Sequence, residues 1–333
     1  MDYGRIVRRA FEVTWRHKAL WVFGIAAALF GTGYSGMHGS GPVQYVINQS
    51  DLDRWSQSLP LGRDLAAAVP VILAIIGALL IVALVFTVVG VIVRYASIGA
   101  LIGMVDEVER TERTSFGAGL RIGWQRLLRL FAVDLLIGVG VFVVVIALIV
   151  LAVIGILVAV VPAVAISQAN GGPANLVAIL WGVGIGLAVL LLLVVAAVVL
   201  SAATTLMREL SFRANVLEHT RVVASIGTAF QILRTNLKEV LVVWLVLVAI
   251  NLALSVVLMP LVVIGLVAVI GPTVASWALT ESVAVTGLVG IALSIIVIVV
   301  SAFVGGLVLT FTSAVWTLAY RELRADHLVP EAV

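Results

Sequence analysis

Asp134 is the one carboxylate in this chain that stands well inside an apolar run, five residues after Arg129. An acid at such a depth is the residue type from which proton relays and ion sites are made. One turn of helix also brings it back towards the arginines, so pairing with Arg126 or a neighbouring base is the plainer expectation. The other reactive groups offer less. His17, His38, His219 and His327 are scattered without metal-ligand spacing, cysteine is absent, and no H-E-x-x-H, G-x-S-x-G or phosphate-loop pattern occurs. Gly31-Thr32-Gly33-Tyr34-Ser35-Gly36 matches the dinucleotide string G-x-G-x-x-G, but that chemistry needs a strand before it and a helix N-terminus after it. Here the string follows an apolar run and opens a Gly- and Ser-rich loop. Asn48-Gln49-Ser50 is a glycosylation pattern too common to carry weight. No nucleophile–base pair can be placed. The expectation is therefore a non-enzyme, with no catalytic residue, cofactor or metal.

The elements around these residues are set by composition. Hydrophobic residues are 63% of 333 and charged ones 11%, where soluble domains run near 45–50% and 25%. Between Asp134 and Arg208 lie 73 residues without one Asp, Glu, Lys or Arg. As helix that run would measure roughly 110 Å, against a hydrocarbon core of about 30 Å. It must cross a membrane, turn in the polar stretch Ser167–Asn175, and cross back. The fold class expected is an all-α polytopic membrane protein, one membrane domain over residues 1–333.

Apolar runs place six spans at Ala19–Tyr34, Leu65–Val93, Leu130–Ile166, Leu176–Met207, Val240–Ile270 and Val283–Tyr320. Pro260 falls inside the fifth, where a kink is expected. The first run could mimic a signal peptide ending at Ala26-Ala27-Ala28, but the basic segment before it is patterned as a helix that recurs twice. Six crossings put 18 of the 20 basic residues on one side, leaving only Arg54 and Arg63 opposite. The positive-inside rule makes that side cytoplasmic, with both termini on it, in a prokaryotic cell membrane. The overall net charge of +3 thus reflects topology, and no nucleic-acid partner is expected.

A threefold repeat underlies the pattern, in units of about 4–110, 114–213 and 221–325. Val7, Ala10, Phe11, Val13 and Trp15 align without gaps on Phe116, Gly119, Leu120, Ile122 and Trp124, and again on Ile226, Ala229, Phe230, Ile232 and Arg234. Each block is a basic amphipathic helix leading into a span, and each second span closes on a carboxylate: Glu107, Glu209 and Glu322. Parallel repeats of two spans are related by an axis along the membrane normal. Phe116, Leu120, Trp124 and Leu128 form an apolar stripe, with Arg121, Gln125 and Arg129 on another face, as in helices lying at headgroup level. The candidate interface residues are Arg8, Trp15, Arg16, Lys18, Arg121, Trp124, Arg126, Arg129, Arg234 and Lys238. Anionic lipid headgroups are the partner they suit; bracing of the spans is the blander account of the same residues.

Within the spans, Gly99-x-x-x-Gly103 and Gly182-x-x-x-Gly186, with Ser301, Ala302, Gly305 and Gly306, are expected to let helices approach closely. Interhelical hydrogen bonds are expected to account for Asn251, Thr204 and Thr205.

Repeated span pairs behind basic helices, closing on Leu318-Ala319-Tyr320-Arg321-Glu322-Leu323-Arg324, resemble a large group of poorly characterised prokaryotic membrane proteins. They are similar to the membrane domain attached to some glycerophosphoryl diester phosphodiesterases, and Phe230-x-x-x-Arg234-x-Asn236-Leu237 looks like that group's entry into a span. The resemblance implies a membrane module without the soluble catalytic barrel, for which no segment here is long enough. A scaffold or accessory module contacting anionic lipid is the leading expectation. The alternative is a transporter or flippase-like conduit for a lipid or apolar substrate. Charge-free span centres disfavour an ion-coupled carrier.

Overall fold

A helix apolar on every side needs neighbours in water but not in lipid, and the packing of this chain follows that division. The computed structural model describes residues 1–30, 65–169, 176–280 and 282–328, and all regular structure within them is helical. α1 (Tyr3–Arg16), α2 (Ala19–Phe30), α3 (Leu65–Thr111) and α4 (Phe116–Ala169) are followed by α5 (Leu176–Leu217), α6 (Val222–Thr235), α7 (Leu237–Thr280) and α8 (Val283–Leu328). Five of the described helices are long and apolar enough to cross a membrane, over Ile76–Thr111, Phe116–Val158, Gly184–Leu217, Leu237–Thr280 and Val285–Ala325. The first expected span, Ala19–Tyr34, is described only in part. The 12 residues of α2 measure roughly 18 Å against a core of about 30 Å. The rest of that span, residues 31–34, lies outside the described residues, as do the G-x-G-x-x-G string and Asn48-Gln49-Ser50.

Helix boundaries follow local chemistry. Asp2 caps α1, its carboxylate accepting the Arg5 N–H at 3.1 Å. α4 ends at Ala169, three residues into the polar stretch Ser167–Asn175, and α5 begins just past it at Leu176. α3 and α5 are followed by Glu112 and His219 at φ 54° and 58°, the left-handed conformation that stops a helix. α1 and α6 are separated from the helices they precede, whereas α4 runs unbroken from Phe116 through Arg129 into its apolar part. No Gly or Pro stands between Gln125 and Ile137 to interrupt it, so the helix continues past Leu130, where the apolar run begins. α7 continues through both Pro260 and Pro272.

Tight packing is concentrated at the arginine-rich end. There α3, α5 and α8 meet through Leu101, Met104, Val105, Leu210, Ala214, Ala314 and Ala319, and α1, α6 and the start of α7 cover them with Ile6, Ala10, Val13, Ile232 and Val240. A second cluster, including Tyr95, Ile102, Leu130 and Phe212, ties α3 to α4 and α5. Full burial of each such side chain contributes about 1.5–3 kcal/mol. α1 seats on α8, the leading end of α4 on α3, and α6 on α5. The aligned small residues Ala10, Gly119 and Ala229 are all buried, while Phe11, Leu120 and Phe230 beside them are all exposed. Close approach depends on glycine: a Cβ on Gly123 would lie 2.1 Å from the Ala96 carbonyl oxygen, and one on Gly24 2.4 Å from that of Gly306. Farther along, the helices part. Leu79, Leu80, Ile81 and Val82 are four successive residues spanning the whole circumference of α3, and each is 63–65% exposed.

Candidate functional site

At the packed base, carboxylates of one helix are answered by guanidiniums of another. Arg321 of α8 lies 3.0 Å from Asp106 of α3, Arg9 of α1 lies 2.8 Å from Glu109, and Arg5 lies 2.7 Å from Glu322. Arg324 donates to both Glu218 oxygens at 2.6 Å, and the Tyr320 hydroxyl donates to the same carboxylate at 2.5 Å. The Arg324 guanidinium holds the Glu218 carboxyl below its usual range, against the opposing effect of burial and with help from Tyr320. Arg213 is fully buried. It pairs with Glu209 one turn earlier on α5, donates to the Ser313 carbonyl of α8 at 3.2 Å, and sits 5.9 Å from the Trp316 ring centroid. Exposed pairs of this kind contribute about 0–1 kcal/mol, but removing one member of a buried pair costs about 3–5 kcal/mol. The base is therefore held by matched charge as well as by apolar contact.

The sequence-predicted acids are thus split among different partners. Glu107 accepts from the Thr114 hydroxyl at 2.9 Å, Glu209 pairs with Arg213, and Glu322 with Arg5. Asp134 does pair with a base, and that base is not Arg126. Its partner is Arg208 of α5 at 2.8 Å, while Arg126 donates to the His219 ring at 2.6 Å. The Arg208 Nε–Asp134 contact is an ion pair by distance whose angle falls short of a good hydrogen bond. Tyr95 of α3 donates its hydroxyl to the second Asp134 oxygen, and the Arg94 guanidinium lies 5.4 Å from the Tyr95 ring centroid. Two guanidiniums and one carboxylate gather there. Sequence spacing favoured Arg126 because it could only weigh partners on the same helix.

Directly beside this cluster, α4 and α5 diverge around a furrow of about 610 Å³. Val141, Val145, Leu148 and Ala152 line it from α4, and Leu193, Ala197, Ser201, Thr204, Thr205 and Arg208 from α5. Thr204 and Thr205 were expected to bond across helices. Instead they donate to Leu200 and Ser201 carbonyls of their own helix at 2.7 and 2.8 Å, as Asn251 does to Leu247 at 2.9 Å. Back-bonding to the preceding turn satisfies a hydroxyl without a neighbour, which suits helices that stand apart. The glycine expectations divide in the same way. Gly99 and Gly103 face Leu130 and Ile122, and Gly306 faces Ile25, but Gly186 has nothing within 4 Å.

Of the ten interface residues, all except Arg126 are exposed. Trp15 and Trp124 are 58% and 65% exposed, and Trp15 stacks on Phe11 with ring centroids 5.7 Å apart. Residues that sequence reasoning missed are Arg213, Glu218, Tyr320 and Arg324. Arg213 alone carried a signal, its carboxylate Glu209 standing four residues earlier on the same helix, whereas Glu218 meets Tyr320 and Arg324 across more than a hundred residues.

Five membrane-length apolar helices clamped at one charged end define a helical membrane protein. The chain belongs to a family of unknown function (DUF7544), whose model matches residues 9–321. No curated protein and no solved structure matches it. The likeness to phosphodiesterase membrane domains accordingly has no support beyond a shared helical and apolar character.

Proposed function

We propose that this chain is a non-enzymatic, six-crossing scaffold or accessory module of a prokaryotic cell membrane, built as three parallel hairpins whose basic helices rest on anionic lipid at the cytoplasmic face. One observation carries the lipid reading. α1, the leading end of α4, and α6 turn Ala10, Gly119 and Ala229 inward, and turn Phe11, Trp15, Trp124, Phe230 and a set of arginines outward. Exposed aromatics alternating with cations suit the headgroup layer, where one side of a helix meets acyl chain and the other meets phosphate.

Two further observations support the architecture. α2 runs antiparallel to α3, from Phe23 near Met104 to Phe30 against Phe86, so it enters from the base as the leading limb of a hairpin should. The equivalent burial of Ala10, Gly119 and Ala229, with left-handed exits at Glu112 and His219, supports three copies of one unit. The conduit reading is weaker, because Leu101, Met104 and Leu210 fill the base where an axial passage would emerge.

Lipid retained by the protein, extracted with its native membrane in polymer discs, tests this. Anionic lipid should be enriched over the bulk membrane. Replacing Arg121, Arg129, Arg234 and Lys238 by Gln should abolish the enrichment, since each surface cation contributes about 1 kcal/mol. Equal anionic content in disc and bulk membrane would overturn the lipid reading.

A further inference from the structure

We propose that the furrow between α4 and α5 is a binding site for one anionic phospholipid, with its phosphate at Arg208 and one acyl chain along the furrow. This rests on the chain lying in a bilayer, but not on the headgroup preference of the basic helices.

Shape argues for an acyl chain. The lining residues of α5 run from Glu209 to Leu193, roughly 24 Å of helix, which exceeds the roughly 15 Å depth of one leaflet. Its volume of about 610 Å³ falls within the roughly 300–1,000 Å³ of small-molecule sites. Small side chains create it: Ala152 and Ala197 leave the space that Leu or Val fills elsewhere on these helices. It narrows at the far end, where Gly155 and Val189 close to within 3.6 Å when the glycine is given a Cβ.

Chemistry argues the same way. The three hydroxyls that line the furrow are engaged by their own helix, Ser201 donating to Val198 at 2.8 Å and Thr204 and Thr205 likewise. They present methyl and methylene surface and offer no free donor to a sugar or a peptide. Polarity is confined to one end. Arg208 there pairs with Asp134, and behind them, outside the furrow's lining, the Arg94 guanidinium lies 5.4 Å from the Tyr95 ring centroid with its Nε lacking a hydrogen-bond partner among the described residues. Glu209 at the same end is matched by Arg213. One positive charge is left over, at the depth where a phosphate would sit above an apolar slot.

The test uses full-length protein reconstituted with phosphatidylglycerol carrying a photoreactive group midway along one acyl chain. Phosphatidylcholine with the same chain, and the free fatty acid, are the comparison probes. Phosphatidylglycerol should label the furrow segment around Ala197 and Ser201 about tenfold more than phosphatidylcholine, whose phosphate charge is offset by the choline ammonium, as expected for about 1.4 kcal/mol of charge-assisted contact. Ala197→Trp should fill the slot and remove that labelling. Arg208→Gln combined with Asp134→Asn, which removes the guanidinium at the furrow's end without leaving Asp134 unpaired, should reduce labelling towards the phosphatidylcholine level. Equal labelling by both phospholipids that Ala197→Trp does not change would mean ordinary surrounding lipid, and the proposal would fail. Stronger labelling by the fatty acid than by phosphatidylglycerol would also overturn it. Loss of furrow labelling with anionic enrichment intact would sink this site alone and leave the basic helices' role standing.

Discussion

The base and the shafts of this molecule are made from the same helices yet obey different rules. Within α3, Leu101 and Val105 are almost completely buried, while Leu80 and Val82, six turns away, are about two-thirds exposed. α3 does not change its composition much between them. Its solvent changes. Where helices meet at the arginine-rich end, small residues, matched charges and interlocked aliphatic side chains fix one arrangement. In the apolar region lipid tails are as good a partner as leucine, so nothing drives the helices together except close packing at small residues. Specificity therefore resides in the base, and the shafts carry the apolar surface.

The sharpest way to break this comparison is to strand a charge in the base. Arg213→Met leaves Glu209 buried without its guanidinium and should cost about 3–5 kcal/mol, read as a loss of thermal stability in mild detergent. The double variant Glu209→Leu with Arg213→Met should recover most of that loss, because two apolar groups replace two charges. A single variant as stable as the parent would mean that the base is not the ordered part of the fold.

Glycine gives the next largest contrast, on a single helix. A Cβ on Gly123 of α4 would enter the Ala96 carbonyl at 2.1 Å, while one on Gly140, further along the same helix, meets nothing within 4 Å. Gly123→Ala should therefore destabilise by about 1–3 kcal/mol through overpacking. Gly140→Ala should be neutral or gain up to about 1 kcal/mol from helix propensity. Similar midpoints for the two variants in the same detergent would erase the distinction between base and shaft.

Much of this division was legible in the sequence. The charge-free runs marked the long helices, and the polar stretch Ser167–Asn175 marked where one helix ends, at Ala169, and the next begins, at Leu176. The aligned Ala10, Gly119 and Ala229 marked the buried faces of three helices. What could not be read was which helices touch. Asp134 pairs with Arg208, 74 residues on, because α4 and α5 lie side by side in a particular register. Thr204 and Gly186 looked like packing residues, but their helices stand apart at those levels. Intramolecular packing in lipid leaves a weak trace in sequence, since a residue facing a neighbour and one facing an acyl chain are both apolar.

Acid should loosen the base while leaving the shafts alone, and this is the smallest effect expected. Glu218 carries a carboxyl held below its usual range by Arg324, with Tyr320 adding a hydrogen bond. A group whose folded pKa is depressed contributes its stability fully above the unfolded value and loses it as pH falls through the folded one. The contribution is therefore intact at neutral pH and fades below about pH 4.5, the ordinary value for this carboxyl. Both partners are partly exposed, so solvent screening limits the loss to about 1 kcal/mol or less. Glu218→Gln should lower stability slightly at pH 7 and flatten its decline on acidification, followed by the melting midpoint from pH 7 to pH 3. The apolar stretches of the shafts hold few titrating groups, so helix content should persist through the same range. If Glu218→Gln lost stability with acid as steeply as the parent, the clamp at Glu218 would not be what acid releases, and the neighbouring Asp106–Arg321 pair would be the place to look.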